Sequence, residues 1–319
     1  MLSDIINLEL KKSIEEKKRE LDSFRPFSSE LIKKLKEQFI IEWTYNSNAI
    51  EGNTLTLRET ELVINRGLTI GNKSLKEHFE AINHKEGIQY IYDFVKKKKA
   101  INEDALLELH KIILKNIDDI NSGYYRRSNV MIIGAVHIPP SAIKIQRLMN
   151  EFFKWYNKNK KKLSIPELAA WVHYKIVYIH PFTDGNGRTA RLLMNLILIQ
   201  HGYPPAVILN VDRKKYYRML KEADREEYRG FLNFIGHSIE RSLLIYLNAF
   251  KSKKDTEDKY GYISLQEASK FCDYSAEYLS YLARNGKLKA VKIRRNWMTT
   301  KEAVFNYIET VKKSIPPSA

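Results

Sequence analysis

The sequence predicts a mainly α protein in two parts. A helical body interrupted by one β-hairpin comes first, and a small helix–turn–helix unit with its own hairpin follows. Three observations predict this. Apolar residues recur at three- and four-residue spacing through most of the first 250 positions. One β-rich segment, 128–138, breaks that rhythm. A polar stretch without large apolar groups, from Lys251 to Lys259, then separates the remainder. The expected division is 1–55, an N-terminal helical region; 56–250, the main body; 251–260, a linker; and 261–319, the small unit.

Composition narrows the class. Hydrophobic residues make up 44% of 319 positions, enough for a sizeable core. The longest apolar run, Leu192 to Ile199, is interrupted by Asn195 and far too short for a bilayer, so no membrane partner is expected. The N-terminus runs straight into Asp4, Glu9, Lys11 and Lys12, with no signal-peptide pattern. Cys272 is the single cysteine, which excludes an internal disulfide and a cysteine-rich zinc site and makes a cytoplasmic location the default. The net charge of +16 raises the question of nucleic acid. Much of it lies in Lys96–Lys99 and Lys158–Lys162, runs that suit solvated helix ends.

In order, Leu2 to Leu21 gives one or two amphipathic helices, broken by Arg25-Pro26-Phe27. Ser29 caps a second helix through Leu35, Phe39 and Trp43, which ends at Glu51-Gly52-Asn53. Glu51 is a carboxylate at a helix C-terminus, an unfavourable place that hints at another partner. Helices follow from Thr56 to Gly67, Lys76 to Val95 and Glu103 to about Ile117; His84 and His110 read there as ordinary helix residues. Ser128 to Ile138 is strand–turn–strand, with Gly134-Ala135 as the turn and Pro139-Pro140 closing it. A lone hairpin is marginal by itself, and its edge can hold an extended peptide. Leu148, Phe152, Phe153, Trp155 and Tyr156 form a helical core stripe. Lys215 to Ala223 and Phe231 to Phe250 complete the body.

The most informative stretch is His180-Pro181-Phe182-Thr183-Asp184-Gly185-Asn186-Gly187-Arg188-Thr189-Ala190-Arg191. Ser164, Pro166 and Glu167 start the helix before it, and Leu168, Trp171, Val172, Ile176 and Ile179 carry that helix to His180. Thr189 to Gln200 is helical again. A glycine-bracketed turn thus feeds a helix N-terminus, where backbone N–H groups and the helix dipole favour an anion. Arg188 and Arg191 share a helix face and can reach one polyanion. Asp184 is placed to hold Mg²⁺ between itself and phosphates. His180, across the loop, can accept a proton from an attacking hydroxyl. These residues describe a nucleotide-polyphosphate site with a histidine base, suited to phosphoryl or nucleotidyl transfer.

His180 to Arg191 resembles the signature of the Fic (filamentation induced by cAMP) family, HPFx[D/E]GNGRxxR, at every specified position. The resemblance implies a Fic-type helical bundle with a β-hairpin flap. It also implies a protein adenylyltransferase that moves AMP from ATP, with Mg²⁺, to Ser, Thr or Tyr hydroxyls of proteins, including itself. His180 would be the base. Gly185, Asn186 and Gly187 would cradle the α-phosphate, with the Asn186 side chain contributing. Arg188 and Arg191 would hold the outer phosphates, and Asp184 the metal. The flap, Met131, Ile132, Ile133, Gly134, Val136 and His137, would align the target segment. Tyr217 is expected to stack on the adenine and Asp224 to meet its edge. Ser47-Asn48-Ala49-Ile50-Glu51-Gly52 resembles the inhibitory motif [S/T]xxxE[G/N] of class II members, in which Glu51 would reach Arg191 and Ser47 belongs to the same motif. Some class II relatives also remove AMP. A homodimer or higher homo-oligomer is the expected assembly.

The last segment looks like an excisionase-like or MerR-like winged helix-turn-helix. Ser264 caps one helix, Ser275 to Ala283 forms a second, and Lys287 to Thr299 forms a hairpin before a final helix. Arg284, Lys287, Lys289, Lys292, Arg294 and Arg295 suit phosphate contact. DNA binding, protein docking and support of a dimer remain alternatives. A DNA-binding regulator using the Fic domain as a nucleotide sensor is the competing function.

Overall fold

A computed structural model describes residues 6–132, 137–258, 262–293 and 296–313. Its elements are α1 (Leu8–Ser23), α2 (Ser29–Ile50), α3 (Leu57–Arg66), α4 (Leu75–Lys96), α5 (Glu103–Leu114), α6 (Ile145–Asn159), α7 (Ile165–Ile179), α8 (Asn186–Gln200), α9 (Arg213–Ala223), α10 (Tyr228–Asp258), β1 (Tyr262–Ser264), α11 (Leu265–Ala268), α12 (Ala276–Arg284), β2 (Ala290–Ile293), β3 (Asn296–Thr300) and α13 (Lys301–Lys313). The chain divides into two compact units at Leu247/Asn248.

Helix α8 is the axis of the first unit. Leu192, Leu193, Met194, Leu196, Ile197 and Leu198 are all essentially inaccessible. Such side chains occur around the whole circumference, so the helix is sheathed on every side, by α2, α4, α5 and α7. Removing each from water is worth roughly 2 kcal/mol. Asn195 interrupts the run without cost because its amide exchanges two bonds with the backbone of Ala206, at 2.6 and 2.9 Å.

The helix starts follow local chemistry. Thr56 and Glu59 form a reciprocal cap on α3, and Ser74 and Glu77 form one on α4. Glu167 accepts from both the backbone and the hydroxyl of Ser164 at the start of α7, with Pro166 in the first turn. Gly67, in the left-handed region at φ 65°, ends α3.

Two boundaries differ from the sequence expectation. α8 begins at Asn186 rather than Thr189, because Gly185 takes φ 73° and turns the chain directly into the helix. Arg188 is therefore inside the first turn. Residues 251–258, expected as linker, continue α10. They hold Lys, Asp and Glu with no proline or glycine, and a polar run of such residues sustains a helix as readily as a coil.

Among the described residues, 128–132 and 137–140 form no β-ladder, and the expected hairpin turn, with Ile133, Gly134 and Val136, lies outside them. Met131 is 90% exposed and Ile138 82% exposed.

In the second unit β3 lies between β1 and β2, antiparallel to both. The segment expected as a helix start thus also supplies a strand, β1. Leu265, Ala268, Leu279, Leu282, Leu288 and Val304 form its core. Arg284, Lys287 and Lys289 are exposed, while Arg294 and Arg295 lie outside the described residues.

Candidate active site

The last turn of α7 delivers His180 as its C-terminal cap, with φ 51° and ψ 59°. A non-glycine residue in this left-handed conformation is strained and needs holding in place. Its N–H donates to the Ile176 carbonyl at 2.9 Å. Its carbonyl accepts from Arg126 Nε at 2.8 Å. Its Nδ1 lies 3.4 Å from the Val177 carbonyl, so an Nδ1–H tautomer leaves the Nε2 lone pair free. Burial pulls its pKa down to about 4, and the nearby Arg126 and His137 act the same way, against the Val177 bond and Glu51. At neutral pH the ring is an uncharged proton acceptor.

The loop that follows is tied down from inside. Phe182 is fully buried and stacks on His110, with ring centroids 3.6 Å apart and planes 6° from parallel. Gly123 N–H donates to His110 Nδ1 at 2.9 Å, which fixes the proton on Nε2, and Nε2–H donates to the Asp184 carbonyl at 3.1 Å. His110, expected to be an ordinary helix residue, is thus the pillar under the loop. The Asn186 amide pairs twice with the backbone of Phe182, both bonds 2.9 Å. That side chain was expected to face a phosphate. It is used instead to close the loop, and the backbone N–H groups of the first helical turn, which have no intrahelical acceptor, are the donors left there.

Asp184 is about half exposed. Burial raises its carboxyl pKa, but Arg188, the Gly185 N–H and Lys76 outweigh it, and the group is held below its ordinary value. Its Oδ1 accepts from Gly185 at 2.6 Å and lies 3.5 Å from Arg188. Its Oδ2 lies 3.8 Å from Lys76 Nζ. Among the described residues no cluster of three or more His, Cys, Asp or Glu could hold a metal. A single anionic, accessible carboxylate is the donor set that fits Mg²⁺ when phosphates and waters complete its shell.

Arg188 and Arg191 are both 2% exposed, and each has a carboxylate from a different helix. Arg191 donates to Glu51 Oε1 at 2.7 Å, to the Ser47 hydroxyl at 2.9 Å and to the Ser47 carbonyl at 2.7 Å. Arg188 lies 3.1 Å from Glu80 Oε1 on α4. Asn53, two residues past Glu51, donates to the other Glu80 oxygen at 2.8 Å. Nη1 of Arg191 and Nε of Arg188 are buried with no hydrogen-bond partner among the described residues. Glu51 also lies over the start of α8: a Cβ added at Gly187 would collide with its carboxylate. That glycine thus admits an anion to the helix N-terminus, and in this chain the anion present is Glu51.

Tyr217 on α9 and Asp224, the C-cap of that helix, lie two turns apart, on one face with Lys221. Asp224, Lys221 and Arg225 line a cavity of about 300 Å³ with His137 and Ile138. Burial raises the Asp224 pKa, against the influence of His137 and Tyr174. Tyr217 sits at the end of α2. Its hydroxyl donates to the Ile50 carbonyl at 3.3 Å, and Arg213 Nε reaches the same carbonyl at 2.7 Å while its guanidinium covers the Tyr217 ring. The His137 ring packs at a tilt against Tyr178, with centroids 4.4 Å apart, and its Nε2 lies 2.8 Å from the Tyr178 carbonyl. The structure therefore brings together His180, Asp184, Gly185, Gly187, Arg188, Arg191, Glu51 and Ser47, with Asp224 and His137 at a neighbouring cavity.

Four functional neighbours were missed by sequence reasoning: Arg126, His110, Glu80 and Arg213. For Glu80 a signal existed. It shares a helix face with His84, Ile88 and Ile91, and a carboxylate on a core stripe needs a partner. The other three have no local signature.

Residues 100–198 match the Fic/DOC family model. A "Protein adenylyltransferase Fic" of Nematostella vectensis is 37% identical over 244 residues, which is 76% of this chain and 56% of that protein. The crystal structure of a Fic domain containing signaling protein from Bacteroides thetaiotaomicron is similar at 33% identity and TM-score 0.70, covering 75% of this chain and 97% of that one. A fragment of Fic-1 from C. elegans is similar at 30% identity and TM-score 0.70, covering 77% and 74%. A helical bundle organised on α8 is thus a known class of domain, and this chain belongs to the Fic family. It spans about half the length of the curated relatives it matches. No helix among the described residues is long and apolar enough to cross a membrane.

Proposed function

We propose that the chain is a class II protein adenylyltransferase, transferring AMP from ATP to hydroxyl side chains of proteins, itself included, and restrained by Glu51. The observation that carries this is the pairing of a neutral, half-buried His180 with a helix N-terminus backed by two buried arginines. In the transfer, His180 Nε2 takes the proton of a Ser, Thr or Tyr hydroxyl. The hydroxyl oxygen attacks the α-phosphorus of ATP, and pyrophosphate departs. Backbone N–H groups at Asn186 and Gly187 meet the charge that grows on the α-phosphate, and they need no reorganisation to do so. Arg188 and Arg191 hold the outer phosphates. Mg²⁺, held by Asp184, would neutralise phosphate charge.

Glu51 opposes this in two ways. It occupies the Arg191 donor, and it places a carboxylate where phosphate must enter. The cavity beside Asp224, closed by His137 and Ile138, is the proposed base pocket. Aspartate accepts from the adenine amino group, and Tyr217 becomes available for stacking once it leaves Ile50. Met131 and Ile132, exposed or partly so beside the flap tip, are the proposed target contacts.

Labelled ATP tests the reading. Glu51→Gly should label itself strongly, and the double variant with His180→Ala should not; absence of labelling in both would overturn the transfer reading. Release of AMP from modified protein by the unsubstituted chain would add the reverse activity. For the second unit, the exposed Arg284, Lys287 and Lys289 support contact with DNA phosphates. A salt-dependent gel shift with the full chain tests that, and sedimentation tests the proposed homodimer.

A further inference from the structure

Arg126 is buried to 3% exposure, and among the described residues no carboxylate pairs with it. Its guanidinium faces carbonyls. Nε donates to His180 at 2.8 Å, one terminal nitrogen to Ser128 at 2.9 Å, and the other to Pro140. Its own N–H donates to the Pro181 carbonyl at 2.9 Å. Ser128 and Pro140 flank the segment expected to form the flap. His180 and Pro181 are the turn that presents the base. A planar fork with fixed donor directions can serve three carbonyls at once and hold each in a set direction. A buried cation without a counter-ion is costly to keep, and burial pulls the Arg126 pKa down. The arrangement is more than a capped turn requires, because His180 already has its helical bond to Ile176.

We propose that Arg126 is a positioning residue that binds both ends of the flap and the His180 turn into one rigid body. A hydroxyl docked on the flap is then held at a fixed distance from the base. The strained left-handed conformation of His180 is kept by the bond from Arg126 to its carbonyl. Without it the turn is free to relax from that conformation, and Ser128 and Pro140 lose their tie to it. ATP contacts lie further along the loop, on α8, and are held independently by His110 and Asn186. Loss of Arg126 therefore separates nucleotide binding from transfer.

The transfer arm of the test rests on the adenylyltransferase reading, and the other arms do not. Arg126→Met and Arg126→Lys are made in the full chain carrying Glu51→Gly. Amide hydrogen exchange is followed at 128–132, 137–140 and 177–182. The His180 ring is titrated by NMR, assigned with His180→Asn, and binding of a fluorescent ATP analogue and self-labelling are measured. Charged or titratable groups facing His180 are Arg126, His137 and Glu51. With Glu51 removed, Arg126→Met takes away a positive neighbour, so the His180 pKa should rise. Exchange should increase at both flap ends and at 177–182 together. Analogue affinity should stay within threefold while self-labelling falls at least thirtyfold. Arg126→Lys keeps the charge and loses the fork, so it should leave the pKa in place, raise exchange, and restore only part of the labelling. Exchange rising on one side alone, or analogue affinity falling in step with labelling, would overturn the proposal. If the Glu51→Gly parent fails to label itself, the transfer reading falls, and exchange and titration still decide the role of Arg126.

Discussion

The end of α7 and the start of α8 are separated by the six residues 180–185, and they are built in opposite ways. The first presents one neutral histidine whose tautomer is set by its own turn and whose pKa is lowered by burial, with Arg126 acting the same way. The second presents two buried arginines, each compensated by a glutamate from a distant helix, Glu51 from the end of α2 and Glu80 from within α4. On the proposed reading the base is ready in the resting chain, and the restraint lies on the anion side. The two glutamates differ in turn. Glu80 is 11% exposed and sits mid-helix, whereas Glu51 is 31% exposed and caps a helix end followed by Gly52 at φ 102°. One is part of the scaffold, and the other sits where the chain can release it.

The largest expected effect attacks the base. His180→Ala in the Glu51→Gly background should lower self-labelling by about 10²–10⁴-fold, the usual contribution of general base catalysis; labelling that survives would show that the α7 end does not supply the base. Next, Glu51→Gly alone should raise labelling on the order of a hundredfold. That corresponds to about 3 kcal/mol, the scale of a buried ion pair; equal rates would remove the distinction between the two glutamates. Glu80→Gln should leave labelling restrained but lower the melting temperature by roughly 4–8 °C, from a loss of about 2 kcal/mol with Asp184 still beside Arg188. Release of activity by this variant would make Glu80 a second restraint.

The pH dependence sharpens the base side. His180 and His110 hold folded pKa values of about 4, and His173 about 3, against an ordinary 6.5. The unfolded chain therefore binds more protons than the folded one between those values, so stability falls as the pH drops from about 6.5, with the loss complete only below about 3. Labelling measured over short times should keep its base form down to pH 5, where an ordinary histidine is mostly protonated. An acid limb near 6.5 would contradict the desolvated setting. The smallest effect belongs to Ser47→Ala. Losing one hydrogen bond to the Arg191 guanidinium, about 1 kcal/mol, should relax the restraint several-fold.

Much of the fold was legible because its signals are local. The cap at Ser164 and the glycine stop at Gly67 mark helix ends through bonds spanning three or four residues, and caps of the same local kind stand at Thr56, Ser74 and Asn102. The lysine-rich end of α10 misled, since a missing apolar stripe says what a helix packs against and little about whether it persists. In the site, the stretch from His180 to Arg191 could be read directly because all its parts are contiguous. Asn186 shows the limit of that reading: its type suited a phosphate contact, yet its amide is taken by Phe182, a partner four residues away that only the loop geometry reveals.

The sequence by itself determined the helices, the glycine turn, the order of base, carboxylate and arginines, and the presence of Glu51 before them. Those follow from backbone conformational preference and side-chain chemistry, which act over a few residues. Tertiary structure decided which carboxylate answers which arginine, that His110 stands beneath the loop, and that Arg126 reaches both the flap ends and the base turn. Burial strengthens these pairings by excluding water, and the bonds from Arg126 to His180 and from Arg191 to Ser47 join residues 54 and 144 positions apart in the chain. No local pattern encodes a contact of that kind.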